Sequence, residues 1–548
     1  MRLTIPLETK VRQNREVMLY AVGVVSPNSE NLETFLKNIR NQSNTLTPLS
    51  EFHSGFMVGK PSLNFEAHRD WICQRHPPSR FSQLSEKGGF NVKATVSACI
   101  NALEAQPNLE KAIKKLDTRV WIGVASCFGD VDSYFTGLRS LQRAEKKWNH
   151  FWASVEKNRL LREYLDGKKE MQGVPISPNR FALDTFDREE ANEEWNKFWT
   201  NHSIELKEFV NQFSDIESQG ITGDVNVEKL QLIRQRAKQK KQLLELYQCP
   251  TPPWESVEAN SLWNIPNVPA SQLSMLLGTH GPALGYSAAC ASFGVALEGA
   301  MNAIQGGEAD LAIVGSADIP PNPTLTSAFY NAKVLSAGES VSMPLTKMRG
   351  THMSGGAVVW ILGHKETMTG LGVSHLGVKV LSVGLSSDAE HIITPSQTGP
   401  HHCIFQALQR AGIDSKHIHS WDMHATGTPG DWNELQMTSP FLSEECLISA
   451  RKGLFGHAMG TAGGLELTAQ LLGPKVESSD TFWIPGCGIP SADVHPSFLS
   501  LGHQLILDKP RNISTNGKPL LCGKLSMGIG GISSCVLAQR EFRVNGCE

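Results

Sequence analysis

Hydrophobic positions along the chain fall into two textures. Between residues 16 and 140, and again from about 256 to 548, short continuous apolar runs alternate with helix-period patterns. VMLYAVGVVSP, RVWIGVASCFG, ADLAIVGSAD, GAVVWILGHKE and LGVKVLSVGLSS each read as a strand buried on both faces. Their alternation with helical stretches predicts a mixed or parallel sheet flanked by helices. Residues 141–255 differ: they are dense in charge, poor in glycine and helical in period, as in RQRAKQKKQLLELY. One α/β architecture interrupted by a helical insertion accounts for both. Within the insertion, Trp148-Asn-His-Phe-Trp152 is echoed by Trp195-Asn-Lys-Phe-Trp199, and the i,i+4 spacing puts each Trp pair on one helix face. Two helices packing these aromatics against each other is the expectation, with a lid or docking surface as the alternative.

Composition narrows the class. The 548 residues carry 51 Lys+Arg against 54 Asp+Glu, so the basic excess of a nucleic-acid protein is missing. No apolar run is long enough for a spanning helix, and MRLTIPLETKVRQNREVML lacks the apolar core of a signal peptide. Eleven cysteines stand singly from Cys73 to Cys547 with no CxxC pair, which suits a reducing, cytoplasmic location.

Chemistry concentrates in three segments. In LGYSAACASFGVALEGAMNAIQGG, small residues lead into Cys290, and Val295, Leu297, Ala300, Met301 and Ile304 then repeat at helical spacing. Cys290 therefore sits where a strand turns into a helix, and the helix N-terminus is expected to lower its pKa and offer amides to an oxyanion. HIHSWDMHATGTPGDWNE places His424 after a short strand, where α/β proteins present ligands. SARKGLFGHAMGTAGGLELTAQLL places His457 in a glycine turn opening a helix, with Lys452 five residues before it and Glu466 nine after. A metal site is the rival, but neither segment supplies the further ligands at zinc-like spacing, and no metal is expected. His401-His402-Cys403 look more metal-like, yet stand alone and are expected to face solvent.

With these residues in place, the chain resembles the β-ketoacyl-acyl carrier protein synthases, type II elongating condensing enzymes of the thiolase fold. The resemblance covers about 17–140 and 265–540. It runs through GVVSP (Gly23–Pro27), RFSQL (Arg80–Leu84), Ala289-Cys290-Ala291-Ser292, His424-Ala-Thr-Gly-Thr-Pro, Lys452, Gly456-His457, Glu466 and Ser526-Met-Gly-Ile-Gly-Gly. It implies a five-layer αβαβα α/β fold of two similar halves, 16–336 (interrupted by the 141–255 insertion) and 337–545. It further implies that Cys290 accepts an acyl group from an acyl carrier protein, while His424 and His457 bind a malonyl thioester and stabilise the enolate left by decarboxylation. Lys452 would tune that pair and Glu466 complete its polar network. The amides of Cys290 and Ile529 would form the oxyanion hole. Thr426, Thr428, Gly528, Ile529 and Gly530 would line the phosphopantetheine path, and Arg75 and Arg80 would dock the carrier. No cofactor is implied beyond the phosphopantetheine that arrives on the carrier. Homodimerisation is implied, with a heterodimer with a related subunit as the alternative.

The departures from the family pattern are equally specific. The late loop, usually Gly-Phe-Gly-Gly-Thr-Asn with a gating Phe, reads Gly528-Ile529-Gly530-Gly531-Ile532-Ser533. The segment Leu345-Thr346-Lys347-Met348-Arg349-Gly350 lacks the usual gating Asp, and the Thr-Pro turn reaches Asp431 one residue early. These departures keep two alternatives open: a thiolase-fold acyltransferase that does not decarboxylate malonate, and a non-catalytic partner subunit like the chain-length factors.

Overall fold

The computed structural model describes residues 15–52, 55–338, 340–388, 396, 398–499, 504–505 and 509–542. Most of the N-terminal stretch read for a leader, the last residues of the expected second half and Cys547 lie outside them. Among the described residues, contacts divide the chain into two compact units: Met1–Asp132 with Leu262–Glu548, and Ser133–Ser261.

The first unit is built on a topological repeat. Its first set of strands is β1 (Val17–Val25), β2 (Val120–Ala125), β3 (Ala283–Tyr286), β4 (Leu311–Asp318) and β5 (Gly356–His364). The second set is β6 (Val378–Ser387), β7 (Ser420–Asp422), β8 (Leu447–Ser449), β9 (Leu520–Gly528) and β10 (Ile532–Arg540). The spatial orders are β1-β5-β4-β2-β3 and β6-β10-β9-β7-β8, the same permutation twice. The senses also repeat: the first two pairings of each set are antiparallel and the last two parallel. β1 and β6 join the sets antiparallel, with Val17 opposite Val380 and Leu19 opposite Val378. The halves therefore meet between His364 and Val378 rather than at 336–337, because β5 completes the first set by pairing with both β1 and β4.

Helices complete the layers. α1 (Phe90–Ala105) covers β1, β4 and β5, and α2 (Val268–Leu277) packs on α1 and β3. α3 (Ser292–Gln305) touches β2, β4 and also β6. α4 (Thr398–Ala411) covers β6 and β10, and α5 (Gly430–Thr438) follows β7. α6 (Ala462–Leu472) packs on α3, β5, β7 and β9, so α3 and α6 form the middle of five αβαβα layers. Burial on both faces explains the unbroken apolar runs. In β1, Val17, Leu19, Val22 and Val24 enter the core shared with α3 and α6, while Met18, Tyr20, Ala21 and Val25 enter the core under α1.

Two glycines mark where the outer helices close onto the first strand of each set. A Cβ on Gly23 would lie 1.7 Å from the Ala98 carbonyl oxygen of α1, and one on Gly384 would lie 2.0 Å from the Cys403 carbonyl oxygen of α4. The backbone must move to admit a methyl group at either position. Gly23→Ala and Gly384→Ala should each destabilise this unit by about 3 kcal/mol or more, read as a lowered thermal midpoint; a change within 0.5 kcal/mol in roughly the ordinary surface range would contradict the packing.

The second unit holds the helices Val131–Trp152, Arg159–Leu165, Phe186–His202, Ile204–Ser218 and Val225–Tyr247. The two Trp pairs do not pack on each other, contrary to expectation. Trp148 and Trp152 cluster with Phe209, Leu243 and Tyr247, whereas Trp199 clusters with Leu161, Tyr164 and Trp195. The buried side chain of Asn158 links the two motifs. It donates to the carbonyls of Trp152 (3.0 Å) and Trp199 (2.8 Å) and caps the helix Arg159–Leu165 through Leu161 N–H (3.0 Å).

Candidate active site

The parallel strands deliver the chemistry at their C-terminal ends. After β3 the chain turns sharply: Ala289 holds φ +46°, a left-handed conformation costly for a residue with a Cβ. Ser292 clasps this turn, its Oγ accepting from Ala288 N–H (2.9 Å) and donating to the Ala289 carbonyl (2.6 Å). Cys290 is thereby carried on the single turn Ala289–Ala291 that leads into α3. His424 follows β7, Lys452 follows β8, and Ile529 follows β9 with its N–H directed at the Cys290 sulfur.

Cys290, His424 and His457 meet in one cavity of about 230 Å³. His457 Nε2 lies 3.2 Å from Cys290 Sγ, and the two imidazoles stand edge to face with centroids 5.3 Å apart. Nδ1 of His457 has no hydrogen-bond partner among the described residues, so the tautomer protonated at Nε2 is the one whose donor faces an acceptor. Thr426, Thr428, Gly528 and Ile529 line the same cavity, together with Phe329, Val334, Met437 and Met527 as apolar wall. Gly530 adjoins the lining at φ +95°.

A buried polar scaffold fixes both histidines. Lys452 donates to the His424 carbonyl and pairs with Glu466 Oε1 at 2.7 Å. Glu434 on α5 accepts from His424 N–H (2.6 Å) and Ala425 N–H (2.8 Å). Asp431 accepts from Thr426 N–H (2.8 Å) and Gly427 N–H (3.0 Å), which sets the short Thr-Pro turn. His457 N–H donates to the His352 carbonyl (2.7 Å). Asp318, at the end of β4, accepts from Cys127 N–H (2.8 Å), Ser126 Oγ (3.0 Å) and Thr461 N–H (3.1 Å), tying together the two loops beside the cysteine. Below Lys452 and Glu466 lies a further tier, Asp422, Arg451 and Lys524, all buried. Glu434, Asp318 and this tier carry no motif. Their one signal in sequence is a charge inside an apolar run, as in LLCGKLSMG.

Electrostatics follow from burial. Both imidazoles are held well below the usual histidine range, first by burial and then by Lys452, with Lys524 adding to it. They are neutral near pH 7 and available as hydrogen-bond donors. Burial pushes the Cys290 thiol up to about 11, against the pull of Lys452 and the Ile529 N–H. The expected lowering by the helix N-terminus is thus overridden. Burial likewise raises Glu434 to about 8, Asp431 to about 6 and Asp318 to about 6.

Three further expectations need correction. Arg80 is buried, with Nη2 on Gln272 Oε1 at 2.5 Å, and cannot present its charge to a carrier. Arg75 is committed to Glu110 (2.8 and 3.0 Å) and lies over the Trp71 ring at 4.0 Å. In the His401-His402-Cys403 run, Cys403 is buried and bonded to the Pro400 carbonyl, so the run does not face solvent together. Among the described residues, the cluster with metal-like ligand spacing is instead Cys290-His424-His457, whose ligand atoms lie within 4.8 Å of one another. The cationic Lys452 and Lys524 beside it oppose a divalent ion.

The fold is the thiolase fold, and the Cys-His-His cavity lies at the ends of its strands. Residues 236–367 match the β-ketoacyl synthase N-terminal domain and residues 378–473 its C-terminal domain. Over these segments the chain is similar to the β-ketoacyl synthases. It is 31% identical over 209 residues to nodulation protein E of Rhizobium meliloti, covering 37% of this chain and 52% of that protein. It is 28% identical over 221 residues to 3-oxoacyl-[acyl-carrier-protein] synthase 2 of Staphylococcus aureus, covering 38% of this chain and 55% of that protein. The chain thus spans about half the length of these curated relatives. Among solved structures, the ishigamide ketosynthase/chain length factor matches with a TM-score of 0.65 at 17% identity, covering 96% of this chain and 100% of that one. The ketosynthase ApeO in complex with its chain length factor ApeC from Xenorhabdus doucetiae matches with a TM-score of 0.59 at 16% identity, covering 96% and 98%. At such identities the structures establish the fold alone. No helix among the described residues is long and apolar enough to cross a membrane.

The raised thiol predicts that iodoacetamide alkylation of Cys290 in the free protein climbs mainly above pH 9, since a raised pKa confines the thiolate to higher pH. A half-point below pH 8 by peptide mass spectrometry would instead show a preformed thiolate at roughly ordinary or lower pKa.

Proposed function

We propose that this protein catalyses decarboxylative Claisen condensation of a Cys290-bound acyl group with a malonyl-acyl carrier protein, giving a β-ketoacyl carrier in fatty-acid or polyketide-type biosynthesis. The observation that carries the reading is the convergence of Cys290 Sγ, two neutral imidazoles and the Ile529 N–H on one cavity.

In the first step Cys290 Sγ attacks the acyl thioester carbonyl. His457, protonated at Nε2, donates to the sulfur, the thiol proton leaves with the carrier's pantetheine thiol as its C–S bond breaks, and the amides of Cys290 and Ile529 hold the oxyanion. In the second step the malonyl thioester carbonyl accepts hydrogen bonds from His424 and His457. The bond to the carboxyl carbon breaks, CO2 leaves, and the electron pair remains as an enolate that neutral donors stabilise. The enolate carbon then attacks the acyl carbonyl, a C–C bond forms, the C–S bond to Cys290 breaks, and the departing Cys290 thiolate takes up one proton from solvent. Thr426 and Thr428, with hydroxyls 3.0 Å apart, offer polar contacts to the pantetheine arm along the cavity wall. The partner is an acyl carrier protein, and the working form is a dimer with a second copy or with a related subunit. The reading requires no metal or dissociable cofactor, and the reducing, cytoplasmic setting suits its unpaired thiols.

A non-decarboxylating acyltransferase is the second reading, favoured by Ile529 where the family has its gating Phe. Intact-mass analysis with an acyl-carrier and a malonyl-carrier protein separates the two. Condensation predicts an acyl adduct on Cys290 followed by a β-ketoacyl carrier two carbons longer, whereas a lasting adduct with intact malonyl carrier indicates the acyltransferase. Cys290→Ala should abolish the adduct. His424→Ala should still load Cys290 within roughly threefold but slow CO2 release by about 10² or more; equal effects of His424→Ala on both steps would contradict the assigned role.

A further inference from the structure

The ion cluster beneath the histidines contains a cation outside the Cys-His-His-Lys-Glu set. Lys524, on β9, touches three oxygens: Glu466 Oε2 at 2.7 Å, Asp422 Oδ1 at 3.1 Å and the Met423 carbonyl at 2.9 Å. Lys452 makes the matching contacts one residue on, to the His424 carbonyl and Glu466 Oε1. Two ammonium groups thus hold the consecutive carbonyls of Met423 and His424, and Glu466 lies between them with one oxygen for each. Asp422 is anchored from its other side by Arg451 and by Ser449 Oγ at 2.7 Å. Burial alone would discharge Lys524, but Glu466 and Asp422 outweigh it and keep it protonated. The same strand ends at Gly528, and the next residue directs its N–H at Cys290. One strand is therefore fastened to the His424 turn at Lys524 and to the nucleophile at Ile529.

We propose that Lys524 is a positioning residue, which locks the His424 turn to the oxyanion strand and so fixes both imidazoles relative to the Ile529 amide. The competing account is a merely structural ion pair, since buried pairs often add little stability over apolar replacements. The inference rests on the condensation reading for its catalytic readout. The charged and titratable groups facing the two imidazoles are Lys452, Lys524, Glu466, Glu434 and Cys290.

The test compares Lys524→Gln, which keeps a donor for the Met423 carbonyl but loses the charge, with Lys524→Arg, which keeps the charge but not the geometry. Four quantities are read on the full chain: melting temperature, acyl loading of Cys290, CO2 release from malonyl-carrier protein across pH, and iodoacetamide alkylation of Cys290. Loading should stay within about threefold in both variants while CO2 release falls about tenfold or more. The acid limb of CO2 release should move to higher pH in Lys524→Gln, because a cation that disfavours the imidazolium is gone, and stay in place in Lys524→Arg. Wild-type release and limb in both folded variants would overturn the proposal, as would loading and release falling together with the folded fraction. Should the wild type release no CO2, the condensation reading fails on its own and alkylation decides the inference. Faster alkylation at pH 7 in Lys524→Gln, from a more basic His457, supports it, and an unchanged profile overturns it.

Discussion

The site depends on a closed set of buried charges. Asp422 and Glu466 are matched by Arg451, Lys452 and Lys524, all at most 2% exposed, while Glu434 beside them, raised to about 8 by burial, is largely protonated at neutral pH. Isolated in a protein interior, any one of these ions would cost several kcal/mol, on the order of what the whole fold has in reserve. Together they are tolerable, and their arrangement has a chemical consequence. The cations lie toward the imidazoles, so protonating either histidine is disfavoured twice, by burial and by neighbouring charge. Neutral imidazoles are what an enolate needs: donors that stabilise a developing oxyanion without quenching the carbanion by proton transfer.

The repeated topology explains why these groups can meet. Each half contributes short parallel strands whose C-terminal ends carry a turn, and α3 and α6 between the sheets bring those turns together. Cys290 comes from the first half, while both histidines, Lys452 and the Gly528–Ile529 loop come from the second. The central layer is then both the inner core and the floor of the cavity. This is why Phe293 of α3 and Trp360 of β5, with centroids 5.4 Å apart, pack within a few residues of the chemistry.

Much of this was legible in the sequence. Unbroken apolar runs announce doubly covered strands, because such runs have no solvent face. Cys290, His424 and His457 stand out through the glycine and threonine turns that present them. What stayed hidden is tertiary. The repeat is one of strand order and sense, which residue patterns do not encode. Lys524 reads as a lone charge in an apolar strand, since its partners Asp422 and Glu466 lie far away in sequence. Arg80 falls on the buried face of its helix, where Phe81 and Leu84 also point, so an exposed role did not hold. The raised Cys290 thiol is hidden for a similar reason: a helix N-terminus is visible in sequence, whereas the burial that outweighs it is not.

The central claim is that His424 and His457 are neutral donors across the working range. Histidine-selective 15N NMR of the free protein, titrated from pH 5 to 9 and assigned with His424→Ala and His457→Ala, tests it directly. The account predicts that both rings keep neutral-imidazole shifts well below the ordinary midpoint near 6.5. A midpoint of either ring at or above that value would contradict it.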